Sequence, residues 1–248
     1  MSFLQLDRVT YRYRGSKPVV DGVSWTINEG EFHCLVGKSG CGKTTLLKLA
    51  AGLLPPDEGA IYLQGEKVTK PSPSIGYVFQ APTLLEWKRV IDNVLLPISL
   101  KRKPMKEDYE LAHDLLERVG LSAYRDHYPA QLSGGQQSRV AMARALIQQP
   151  ALLFLDEPFA ALDAITREEL QDDLLALCRL QNISVLFITH DIAEAVYLAD
   201  RIAVMADGKI VYALDVNLPK PRMLEMRYEP RFNELGFHVR QAMEGVKR

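Results

Sequence analysis

Apolar and polar positions change rhythm twice along this chain. From residue 3 to about 79, short stretches alternate with period two between Arg14-Gly15, Asn28-Glu29-Gly30 and Pro55-Pro56-Asp57, which predicts strands joined by turns. Inside that region the apolar run 32–36 reads as a buried strand, and Leu46, Leu47, Leu49 and Ala50 continue behind it as a helix. From about 81 to 149 the period becomes helical, and Leu111, Leu115, Leu116 and Val119 share one face of 108–119. From 151 onward the apolar runs 152–155, 185–188 and 202–205 alternate with helical stretches at 166–180 and 191–198. That alternation predicts an α/β fold with a parallel sheet and crossover helices. From Leu218, prolines, glycines and basic residues are interspersed, and 218–248 reads as an appended tail.

Between the predicted strand and helix, residues 37–44 read Gly-Lys-Ser-Gly-Cys-Gly-Lys-Thr, the spacing G-x-x-x-x-G-K-T. Gly37, Gly40 and Gly42 let the backbone turn its N–H groups onto a phosphate chain. Lys43 supplies a point charge for the β- and γ-phosphates, and the Thr44 hydroxyl is placed for Mg²⁺. The helix behind directs its N-terminus at the anion. Lys38, Ser39, Cys41 and Thr45 complete the expected nucleotide-binding set.

A second segment, Leu132-Ser133-Gly134-Gly135-Gln136, precedes a helical stretch. Ser133 and Gln136 stand at capping-box spacing. Two glycines in a first helical turn cost about 1 kcal/mol each relative to alanine. Close approach to bare N–H groups by an anion would justify that cost. An ordinary capped helix after a flexible loop would show the same residues.

Composition narrows the picture further. The 248 residues are 47% hydrophobic, enough to bury a core of one large or two small domains. A net charge of −1 implies no general steering toward nucleic acid. No stretch reaches the roughly 18 apolar residues of a membrane span, and the N-terminus lacks a signal-peptide pattern. The expectation is a cytosolic protein that is not itself a channel. Cys34, Cys41 and Cys178 show no metal-ligand spacing and read as reduced small hydrophobes, with Cys41 a loop filler.

Together the two motifs resemble the ATP-binding cassette (ABC) ATPases, and the likeness extends from residue 3 to about 212. Leu132 to Gln136 matches the family signature, residues 152–157 resemble the Walker B strand with its following glutamate, and Ala161-Leu162-Asp163 resembles the D-loop. Gln80 matches the Q-loop glutamine and His190 the switch histidine. Lys38, where the family more often has proline or a small residue, and Ser138 are departures that touch no residue of the expected chemistry. The resemblance implies a P-loop NTPase core with a mixed, largely parallel sheet, an antiparallel β subdomain and an inserted α-helical subdomain. The ABC ATPase domain would span 1–217, with the helical subdomain at about 81–149.

The resemblance also distributes roles. Asp156, at the end of an apolar strand, would hold Mg²⁺ with Thr44 and Gln80, since a carboxylate there is costly unless paired or facing a metal. Glu157 would point to the opposite side of an extended backbone and act as the base that polarises the attacking water. A helix-capping Asp-Glu pair before Pro158 is the bland alternative. His190 would contact the γ-phosphate, and Gln80 would report nucleotide state to the helical region. Tyr13 matches the aromatic that stacks on adenine, with Tyr11 a rival on the same face.

Two copies would pair head to tail, so that Ser133, Gly134, Gly135 and Gln136 of one close over ATP held by the other, with Asp163 at the crossing. The partners implied are a second copy, transmembrane permease subunits and, indirectly, a periplasmic or lipoprotein solute-binding protein, at the cytoplasmic membrane face. Residues 82–94 and 158–172 look like the ATPases of importers for nitrate, sulfonates and taurine. Leu84, Leu85 and Trp87 would then meet a permease, or else fill the core. ATPases of exporters or lipid transporters share the same motifs. Soluble ABC proteins usually carry two cassettes or a long insertion that this length does not hold.

Overall fold

Leu4 and Leu6 face inward while Gln5 faces water, the two-residue rhythm of a half-buried strand. The rhythm slips at Arg8, whose φ of 47° marks a bulge where the register to the neighbouring strands shifts and the Arg8 N–H turns to Ser24 Oγ at 3.0 Å. The computed structural model describes residues 3–15, 17–160 and 162–245. Its strands are β1 (Leu4–Tyr11), β2 (Val20–Ile27), β3 (Phe32–Val36), β4 (Glu58–Leu63), β5 (Glu66–Lys67), β6 (Ile75–Val78), β7 (Leu152–Asp156), β8 (Ser184–Thr189), β9 (Arg201–Ala206) and β10 (Lys209–Asp215). The α-helices are α1 (Lys43–Ala50), α2 (Val90–Val94), α3 (Leu96–Ser99), α4 (Lys106–Arg118), α5 (Gly134–Leu146), α6 (Ala164–Leu180), α7 (Ile192–Leu198) and α8 (Pro230–Gly245).

The chain divides into two units, one of residues 1–72 with 182–248, the other of 73–181. In the first, β1 pairs antiparallel with β2 and β4, and β4 with β5. A second set runs β10-β9-β3-β8, parallel from β9 through β8 and antiparallel at the β9–β10 edge. Every residue of β3 and β8 is buried, which is why both read as continuous apolar runs. His33 is a polar residue inside that core, as are Ser184 and Thr189 of β8. The His33 Nδ1 accepts from the indole Nε1 of Trp25 at 3.0 Å and its Nε2 lies 2.8 Å from Glu31.

The segment expected as an appended tail folds against this unit as far as residue 245, and 246–248 lie outside the described residues. Phe232, Leu235 and Val239 of α8 are buried, and α8 packs on α7 and β9. Arg222 fastens the start of the segment by donating to the carbonyls of Tyr197, Leu218, Pro219 and Ala199. Arg227 lies 4.0 Å from the centre of the Tyr197 ring, a cation–π contact.

The second unit holds the parallel pair β6–β7 and the helices α2 to α6. Ala112, Leu115, Leu116 and Val119 form the buried side at α4, close to the face read from sequence. Among the described residues no helix is long and apolar enough to cross a membrane.

Candidate functional site

In the first unit Val36 pairs with Thr189 of β8 and Val204 of β9 at the carboxyl ends of parallel strands. The loop 37–42 and His190 therefore leave the sheet at one edge, where ligands bind in open α/β sheets. Gly42 caps α1 at φ 109°, and a Cβ there would sit 2.3 Å from the Val19 carbonyl, so no other residue fits this turn. Lys43 is buried, and its ammonium donates to the carbonyls of Gly37 at 2.8 Å and Lys38 at 3.1 Å. Cys41 Sγ is 3.9 Å from that ammonium, yet burial pushes the thiol pKa up against the pull of Lys43, so the thiol is not activated. The loop lines a cavity of about 330 Å³ with Met205, Asp207 and Met243. Lys38, Ser39 and Gly40 are exposed, Thr44 is half-buried and Thr45 is buried.

The Tyr13 hydroxyl lies 3.4 Å from Thr45 Oγ1, one residue beyond Thr44, while its ring stays 46% exposed. Tyr11 meets the Tyr13 ring edge-on at 5.1 Å. His190 is exposed, and Asp191 beside it caps α7 by accepting from the Glu194 N–H at 3.2 Å.

In the second unit Val78 pairs with Leu155, so Gln80 and Asp156-Glu157 emerge at the same end of the β6–β7 pair. Asp156 is 4% exposed at the end of a strand buried throughout. Glu157 departs from the extended backbone expected there. Its φ is 47°, a left-handed conformation that costs a residue with a side chain about 1–2 kcal/mol. The strand therefore gives way to a turn at Glu157, one residue past Asp156. Strained residues of this kind gather at functional sites.

The signature segment starts α5. Ser133 Oγ accepts from the Gln136 N–H at 3.2 Å and Gln136 Oε1 accepts from the Ser133 N–H at 2.9 Å, a complete capping box. The two glycines differ. A Cβ on Gly135 would lie 2.8 Å from Leu162, whereas one on Gly134 would meet nothing within 4 Å, so packing inside the chain explains the first glycine but not the second. Ser133 to Gln136 line a cavity of about 470 Å³ with Arg139, Tyr124 and Asp163. Asp163 caps α6, accepting from the Thr166 N–H at 3.0 Å, and that bond holds its carboxyl below the usual range. Ala161 lies outside the described residues.

Trp87 is 73% exposed, which excludes the core alternative, while Leu84 and Leu85 are half-buried. Two residues with a part in this loop escaped the sequence reading. Asn93 is fully buried and bonds to the backbone of Leu85, Lys88 and Arg89, and Arg144 bonds to Pro82 and Thr83. The available signal was an asparagine flanked by apolar helix positions, and no helical period singles out Arg144.

Comparison with known proteins gives the family of the chain. The ABC transporter family model matches residues 20–160. The chain is 42% identical to the nitrate import ATP-binding protein NrtD of Synechococcus elongatus, over 94% of this chain and 88% of the relative. It is 40% identical to the aliphatic sulfonates import ATP-binding protein SsuB of Bacillus anthracis, over 98% and 96%. A dimeric ATP-binding cassette in a post-hydrolysis state with ADP and Pi superimposes with a TM-score of 0.78 at 31% identity, covering 87% of this chain and all of that one. The chain belongs to the ABC transporter family, as one of its ATP-binding, ATP-hydrolysing cassettes.

Proposed function

We propose that two copies of this chain hydrolyse ATP to drive a membrane permease that imports a small anion such as a sulfonate, taurine or nitrate. The observation that carries the ATPase reading is the buried Lys43 ammonium, held by two neutral carbonyls inside a glycine loop at a helix N-terminus. An anionic phosphate is a stronger partner for that cation than either carbonyl. Backbone N–H groups of residues 37–42, with Thr44 and Thr45 behind them, would take the phosphates, and Tyr13 would stack on adenine. Its ring is exposed beside the α1 start, which favours it over Tyr11.

Thr44, Asp156 and Gln80 would hold Mg²⁺, supported by their oxygen donors, the kind a hard cation takes, and by the emergence of Gln80 and Asp156 at one end of the β6–β7 pair. When bound, the metal neutralises charge on the phosphates. Glu157, in its strained turn, would orient and polarise the attacking water, and His190 would contact the γ-phosphate. Phosphoryl transfer asks mainly for positioning and charge stabilisation, and these groups supply both. The open space over Gly134 suits closure on ATP held by a second copy, with Ser133, Gly135 and Gln136 around it and Asp163 at the crossing.

The importer reading is supported by the relatives' names and by the exposed Trp87, an anchor suited to a permease at the cytoplasmic membrane face. A solute-binding protein would act through that permease. The helical subdomain would lie at about 81–149, and the ABC ATPase domain of 1–217 would carry the C-terminal segment packed on its α7 and β9. Reconstitution with the permease in liposomes tests the whole reading. Uptake of nitrate, a sulfonate or taurine should require ATP and vanish with Lys43→Ala. Uptake that survives this substitution would sink the ATPase role, and transport of a cation or sugar in place of these anions would sink the solute assignment.

A further inference from the structure

The irregular segment 82–89 between β6 and α2 is fastened from two sides. Arg144, in the last turn of α5, donates from Nη2 to the Pro82 carbonyl at 2.7 Å and to Thr83 Oγ1 at 3.2 Å, and from Nη1 to the Thr83 carbonyl at 2.9 Å. Thr83 itself sits at φ 48°, so the backbone turns sharply at the point the guanidinium holds. From α2, Asn93 Oδ1 accepts from the Leu85 N–H at 2.8 Å, and its Nδ2 donates to the carbonyls of Leu85, Lys88 and Arg89, each at 3.1 Å. Arg89 adds an ion pair to Asp126 at 3.3 Å. Trp87 stands between these anchors with its ring in solvent.

Arg144 is the unusual member. Burial holds its guanidinium pKa below the ordinary value, and the oxygens it bonds are neutral. A planar fork can hold three such oxygens at once, and a lysine ammonium at that position would not span them. Its helix starts with the signature glycines, ten residues earlier, so a rigid rod of about 15 Å joins the two ends.

We propose that Arg144 is a positioning residue that ties the Trp87 loop to the signature helix, so that a permease seated on the loop and the signature end of α5 move as one body. The proposal rests on the reading of Trp87 as a permease anchor. Coupling between distant sites is carried by rigid elements and hydrogen-bond networks of this type.

The test uses the transporter purified through a tagged permease, beside the free subunit. Arg144→Lys should leave the melting temperature, the free-subunit ATPase rate and co-purification near wild type. The permease's effect on the ATPase rate should fall by about tenfold, within the range of measured coupling between sites. A full permease effect in Arg144→Lys overturns the proposal. Trp87→Glu separates the two readings. If it still co-purifies, the anchor reading has failed. If it does not, and Arg144→Lys responds as wild type, the positioning role alone has failed.

A second measurement needs no permease. In a Trp25→Phe background Trp87 is the sole tryptophan, and its fluorescence anisotropy should change when MgATP is added. Loss of that change in Arg144→Lys supports the link, and its persistence overturns it. Should Arg144→Lys fold poorly, Thr83→Val removes one acceptor and should weaken the permease effect about threefold. Wild-type coupling in that variant overturns the proposal as well.

Discussion

The Trp25 indole N–H donates to His33 Nδ1 at 3.0 Å, so that nitrogen must remain unprotonated and His33 carries its proton on Nε2, facing Glu31 at 2.8 Å. Burial lowers the His33 pKa below 6.5, and the opposing pull of Glu31 does not restore it. Arg201 pushes the same way as burial, while Asp200 joins Glu31. The folded protein therefore binds this proton less readily than the unfolded chain. Stability from the neutral ring is complete above pH 6.5 and is lost as pH falls below 6.5 toward the folded value. About 1.4 kcal/mol per pH unit, one full proton of difference, is the ceiling on that slope. Glu31 itself is held below its ordinary value by bonds from Asn28 and His33 that outweigh its burial, so its stabilisation is complete above pH 4.5 and is lost only at more acid pH, outside the His33 window. Denaturant melts across pH 5 to 7, with an NMR titration of His33, check this. A folded-state titration at or above 6.5 would rule it out.

Glu157→Gln should keep ATP binding, because shape is nearly unchanged and one acceptor oxygen remains. Hydrolysis should drop by about 10² or more, the typical share of a general base. The nucleotide should then hold two chains together, visible as an ATP-dependent dimer by size exclusion. An ATPase rate close to wild type would remove Glu157 from the proposed mechanism.

Sites shared between two copies make a distinct prediction about mixtures. A Lys43→Ala chain lacks its phosphate contact and a Ser133→Arg chain has its signature blocked. In a mixed pair built head to tail, one site carries both defects and the other neither, so ATPase activity should reappear on mixing. No recovery, with pairing confirmed by pull-down, would show that the signature serves its own chain.

Arg222 gives a prediction about stability. Its guanidinium satisfies four carbonyls where the C-terminal segment meets α7. Arg222→Met leaves those carbonyls unmatched in a buried place and should cost about 3 kcal/mol, since hydrogen bonds to charged groups contribute about 1.5–3 kcal/mol. Urea unfolding should show a lower midpoint with an unchanged slope. A loss below about 1 kcal/mol, the range of a surface change, would mean the segment is not held by this residue.

Local chemistry was legible in the residues because it needs only neighbours in sequence. A glycine loop between an apolar run and a helix, or a serine three residues ahead of a glutamine, determines its own geometry, and both formed as written. Strands buried on both faces announced themselves as apolar runs for the same reason. What required the fold were contacts between residues far apart. Residues 230–245 read as a tail because the apolar face of α8 has its partners on α7 and β9, and prolines before it broke any local pattern. Glu157 read as extended because strand alternation was projected one residue too far, past the turn that starts there. Trp87 could be core or surface by composition, and burial of Asn93 beneath its loop put it in solvent. Arg144 had no local mark at all. Its acceptors lie some sixty residues away in the chain, so the bond exists only once β6, α2 and α5 are packed together.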